Sequence, residues 1–147
     1  MNKIYIIKIT PRDFIKLVGD KKTTGYAYFE ISNKTHKIFI KNIRNKFIKK
    51  RTIEHELSHI ILRTLRLRNK INKVEFKKVL KDKNFRDYEK DIYNTSFKLH
   101  EEFLTDLISY ILFGNKNEKD YIKGKYPKNY KIINNLTKGF KPNITYI

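Results

Sequence analysis

Thr52-Ile53-Glu54-His55-Glu56-Leu57-Ser58-His59-Ile60-Ile61 carries the pattern His-Glu-x-x-His inside an apolar run of helical character. On a helix, residues four apart lie one turn above each other, so His55 and His59 present two imidazoles to one point. Glu56 stands beside that pair and reaches a water at the same point without taking a coordination position. The pattern reads as a zinc site suited to metal-assisted hydrolysis: the ion brings the pKa of its water to about 7, and Glu56 accepts the proton. The bland alternative makes both histidines ordinary helix residues, one against the core and one hydrogen-bonded.

A third ligand has to come from another element. Residues 97–114, Phe-Lys-Leu-His-Glu-Glu-Phe-Leu-Thr-Asp-Leu-Ile-Ser-Tyr-Ile-Leu-Phe-Gly, read as a second helix, with Phe97, Leu104, Ile108 and Ile111 at helical spacing and Gly114 suited to the position past its end. Glu102 and Asp106, four apart, share a face, whereas Glu101 is five from Asp106 and points away. Glu101 and His100 stay open as competing ligands. Ile60 to Arg68 hold neither a glycine nor a third histidine, which excludes a metzincin pattern.

His-Glu-x-x-His followed by Glu-x-x-x-Asp on a later helix resembles the gluzincin metallopeptidases, the thermolysin-like group. Given its short length, the chain is most similar to the minigluzincins. The likeness covers roughly residues 26 to 113, with matching residues confined to the two motifs, and the interval from His59 to Glu102 is longer than in thermolysin. The resemblance implies that Glu102 is the third zinc ligand, that Asp106 hydrogen-bonds His55, and that the activity is cleavage of peptide bonds in a peptide or protein substrate. A second carboxylate of that kind fixes the imidazole tautomer and strengthens the ligand. For the oxyanion, Tyr93, His100 and Tyr110 lie near the second motif and have donors to offer.

With 147 residues the chain fits one domain, 1–147, long enough to bury a core. Without cysteine, a metal must be held by histidine and carboxylate. The opening Met-Asn-Lys-Ile-Tyr-Ile-Ile-Lys-Ile alternates and is broken by lysine, unlike a secretory or membrane-spanning segment, so a soluble, cytoplasmic protein with no membrane partner is expected. The net charge of +19 raises an alternative, a DNA-associated protease or a basic nucleic-acid-binding protein with a structural zinc site. Heavy use of lysine, isoleucine and asparagine, absence of glutamine, and Ala27 as the single alanine attribute part of that charge to compositional bias.

The expected fold class is α+β: a small, mainly N-terminal sheet packed on the helix of the first motif, the Glu102 helix, and a C-terminal helix, as in a compact zincin-like fold. Residues 3–9 read as a strand. Thr10-Pro11-Arg12-Asp13 opens a short helix that Gly19 closes. Residues 25–41 read as a hairpin around Ser32-Asn33-Lys34-Thr35, with His36 at the turn as a surface residue. By the resemblance this region supplies an edge strand along which an extended peptide lies. The basic run 42–51 reads as a solvated connection, and Arg63, Arg66 and Arg68 suit the end of the motif helix. Asn72-Lys73-Val74-Glu75 has the form of a helix start, with Phe76, Val79 and Leu80 inward. Phe85, Tyr88 and Ile92 either extend the Glu102 helix backwards or are cut off from it by Asn94-Thr95-Ser96. A further helix is expected from Tyr126-Pro127-Lys128 to Thr137-Lys138-Gly139, with Tyr130, Ile133 and Leu136 on one face. By likeness to minigluzincins that are latent, segment 115–147 is a candidate for covering the cleft, as in a zymogen.

Overall fold

Alternating apolar residues at the start of the chain build the inner strand of a sheet. In the computed structural model, which describes residues 3–19, 23, 25–30, 35–75, 96–141 and 143–147, strand β1 (Lys3–Ile9) buries Ile4 and Ile6 and exposes Lys3. Helix α1 (Pro11–Val18) follows as its sequence demands: Thr10 Oγ1 accepts from Asp13 N at 3.2 Å, Pro11 occupies the first turn, and Gly19 closes the helix at φ 79°. Phe14 is its buried anchor. The fold class is α+β, and the chain divides into two compact units, residues 1–60 with 140–147 and residues 61–139.

The first unit holds a four-stranded sheet in the order β2-β3-β1-β4. Strands β2 (Gly25–Glu30) and β3 (Thr35–Lys41) pair antiparallel, as expected of the hairpin, and β2 lies at the sheet edge. Strand β1 runs parallel to β3, with Ile4 opposite His36 and Ile6 opposite Ile38. That register corrects the reading of His36. It is a strand residue, 2 % exposed, on the same inward face as Ile38 and Ile40, because β3 begins at Thr35 and its side chains alternate from there.

Strand β4 (Asn143–Tyr146) was not anticipated. It lies parallel to β1 on the other edge, from Lys3 opposite Asn143 to Ile6 opposite Tyr146, and Ile147 N donates to Ile6 O at 2.9 Å. Four residues are too few to show a period of two, and main-chain hydrogen bonds hold them whatever their side chains.

Helix α2 (Lys46–Thr64) carries the first motif. It starts earlier than expected: Asn45 Oδ1 accepts from Ile48 N at 3.1 Å, so Lys46–Arg51 are its opening turns and not a connection, although Lys46 and Lys50 are solvated. Leu57, Ile60, Ile61 and Leu62 are buried along it.

In the second unit, Asn72 Oδ1 accepts from Val74 N and Glu75 N, both at 3.1 Å, and caps the turn that the sequence marks as a helix start. Helix α3 (Ser96–Phe113) buries Leu104, Leu107, Ile108 and Ile111 and ends just before Gly114. Helix α4 (Lys116–Lys125) opens with a capping box in which Glu118 N donates to Asn115 Oδ1 at 2.9 Å and Asn115 N donates to Glu118 Oε1 at 3.2 Å. Helix α5 (Pro127–Thr137) is the one expected from Pro127 onward. Its inward face is rotated, however: Asn129, Ile133 and Thr137 are buried, while Leu136 is exposed. Ile122, Tyr126 and Ile133 are fully buried, so the stretch after Gly114 contributes side chains to a core. The hairpin turn 31–34 and the readings made for Phe76, Val79, Leu80, Phe85, Tyr88, Ile92, Tyr93, Asn94 and Thr95 lie outside the described residues.

Candidate metal centre

The first unit presents the motif on one helix. His55 and His59 sit a turn apart on α2, with ring centroids 4.8 Å apart and planes at 87°, so the two imidazoles meet edge to face. His55 is half-buried and His59 buried. Glu56, between them in sequence, is also buried, and its Cγ and Oε1 face the start of β2 at Gly25.

Hydroxyls on the same helix are tied back to it. Thr52 Oγ1 donates to Ile48 O at 2.8 Å, and Ser58 Oγ donates to Glu54 O at 2.7 Å. Each satisfies its hydroxyl proton on the carbonyl one turn earlier. Arg51 lies 3.6 Å from Glu54, which places that buried carboxylate next to a cation one turn before the motif.

Helix α3 carries the carboxylates of the second motif. Glu102, Asp106 and Tyr110 succeed one another at intervals of four and are each half-buried. Glu101 is engaged elsewhere: Arg63 donates to Glu101 Oε1 from Nε at 3.1 Å and from Nη2 at 2.9 Å. Arg63, read from the sequence as a complement to the helix dipole, is thus the residue that separates Glu101 from Glu102. The signal for it is weak, since the partners stand 38 residues apart. The side chain of His100 and all of Tyr93 lie outside the described residues.

Among the described residues, His55, His59 and Glu102 form a group suited to a metal ion, each offering one ligand atom, these atoms lying within 4.8 Å of one another. The donor chemistry fits zinc: two imidazoles and a carboxylate, in a chain without a thiolate to offer. Gly25 and Thr52 were missed in reading the sequence, where a glycine opening a strand is the only mark of a close approach.

Compared with known proteins, the chain matches no family model, no curated protein and no solved structure. No helix among the described residues is long and apolar enough to cross a membrane.

Proposed function

We propose that this chain is a zinc-dependent metallopeptidase of gluzincin type, with a zincin-like fold, in which His55, His59 and Glu102 hold the ion and Glu56 is the general base. The observation that carries the reading is the His/His/Glu group with a carboxylate next to its first histidine on the same helix. A zinc ion held there would supply Lewis acidity and bring the pKa of its water to about 7.

The chain's own residues do the rest. The Glu56 carboxylate takes a proton from the water that attacks the peptide carbonyl and passes it to the leaving amine as the C–N bond breaks. Asp106 holds the tautomer of His55 through a hydrogen bond to its second ring nitrogen. Tyr110 is the candidate oxyanion donor that the described part of α3 supplies, beside Tyr93 and His100. Strand β2, at the sheet edge, is the candidate for pairing with an extended substrate, and any covering of the cleft falls to residues 115–147.

The test pairs metal content with cleavage. Purified full-length protein should hold one zinc per chain by elemental mass spectrometry and should cleave casein. Glu56→Gln should keep the zinc and lose cleavage by a factor of about 100 or more, the range for a positioned proton-transfer group. A Glu56→Gln protein that cleaves like wild type removes Glu56 from the chemistry, and a chain that takes up no zinc removes the site.

A further inference from the structure

Gly25 is the first residue of β2 and is buried against α2. A Cβ at this position would overlap Thr52 Cγ2 and would stand 3.1 Å from Glu56 Cγ and 3.3 Å from Glu56 Oε1. Thr52 does not readily yield. It is β-branched on a helix, and its Oγ1 is bonded to Ile48 O at 2.8 Å, so the rotamer that points Cγ2 at Gly25 is the one its hydrogen bond selects.

On the Thr52 side the contact is made of backbone and a γ-carbon, with none of the give of a long side chain, so the Glu56 side chain is the neighbour that can move. The strand therefore approaches α2 as closely as a residue without a side chain permits, and it does so alongside the carboxylate assigned to proton transfer. We infer that Gly25 and Thr52 are positioning residues: the bare α-carbon of Gly25, seated on the Thr52 methyl, sets where the Glu56 carboxylate stands. The inference rests on Glu56 as the proton acceptor. It adds a determinant of catalytic geometry that lies in neither motif, one helical turn before Glu56 and at the mouth of the edge strand.

A rescue experiment decides it. Gly25→Ala and the double variant Gly25→Ala/Thr52→Ser are compared with wild type as full-length, zinc-loaded chains. The first readout is the casein cleavage rate at saturation. The second is the carboxyl 13C resonance of Glu56, assigned by its disappearance in Glu56→Gln. In Gly25→Ala the added methyl should displace Glu56, shift its resonance and lower the saturated rate about ten- to a hundredfold, with one zinc still bound, since a misplacement of about 1 Å costs up to about a hundredfold. Thr52→Ser removes Cγ2 and vacates the space that the new Cβ needs, so the double variant should return both readouts most of the way. If Gly25→Ala fails to fold, a folded and active double variant supports the inference and an unfolded one overturns it. A Gly25→Ala protein with unmoved resonance and full rate overturns it, and so does a loss that Thr52→Ser leaves unrepaired. Should wild type bind zinc and cleave nothing, the peptidase reading fails by itself. The resonance then decides alone: a shift with rescue upholds the control of Glu56 by Gly25, and a fixed resonance overturns it.

Discussion

Two buried carboxylates, Glu56 and Glu75, differ in what their surroundings ask of them. Glu75, 4 % exposed, gives one oxygen to Lys128 N at 2.9 Å and the other to Asn129 N at 2.8 Å. These are the second and third amides of α5, whose first residue, Pro127, has no N–H and whose preceding residue, Tyr126, makes no side-chain cap. Glu75 thus caps a helix from more than 50 residues away, and fixed dipoles balance its charge. Asn129 closes the arrangement by accepting from Asn72 N at 2.6 Å. Glu56, 9 % exposed, stands next to one histidine and three residues from another, against the bare backbone of Gly25. Burial and residue type are nearly the same in the two cases. The neighbours differ: Glu75 meets permanent amide donors, whereas Glu56 lies beside imidazoles that, under the proposed function, hold a metal.

The contrast breaks most sharply at the metal. Glu102→Ala should weaken zinc binding by more than the roughly 10- to 100-fold typical of losing a group behind a ligand. Titration of the metal-free protein with zinc against a competing chelator measures this. Retention of wild-type affinity would return the third-ligand role to His100 or Glu101, and the latter would first have to leave Arg63.

Next in size is the other carboxylate. Glu75→Ala strands two amides at the start of α5 and should lower the unfolding free energy by roughly 2–3 kcal/mol in a urea titration. Zinc affinity should stay at the wild-type value. A fall in affinity as large as that of Glu102→Ala would erase the distinction drawn between the two carboxylates.

Legibility followed the range of the interactions. Helix α1 could be read completely, because Thr10, Pro11 and Gly19 act within one turn of themselves. The pairing of His55 with His59 on α2 could be read for the same reason: four residues of spacing place both imidazoles on one face. What engages Glu101 could not be read from helical facing, because its partner Arg63 stands 38 residues earlier. The rotation of α5 depends on Asn72 meeting Asn129 across 57 residues, and that polar contact overrides the apolar spacing that pointed to Leu136. The place of His36 hung on where β3 begins, since one residue of shift exchanges the two faces of a strand. Helix α4 is a different kind of miss. Its capping box, Asn115 with Glu118, is a local signal, passed over because the segment is rich in lysine.

The smallest effect tests the buried neighbour of the Glu75 cap. Tyr126 is fully buried, and its phenol is pushed up to about 12, first by burial and then by the charges of Tyr121 and Glu75. In the unfolded chain the phenol ionises near its ordinary value of about 10. Above that pH the unfolded state loses a proton that the folded state keeps, so stability declines as pH rises from about 10 towards 12, and below 10 the contribution is fully present. The informative quantity is a difference, in which contributions common to both proteins cancel. Urea unfolding of wild type and Tyr126→Phe at pH 9 and pH 11 should show wild type losing about 1 kcal/mol more than the variant over that interval, which covers half of the shift. Equal losses would mean that the Tyr126 phenol reaches solvent in the folded chain. The Glu75 cap beside it would then be solvated as well, and Glu75→Ala would cost correspondingly less.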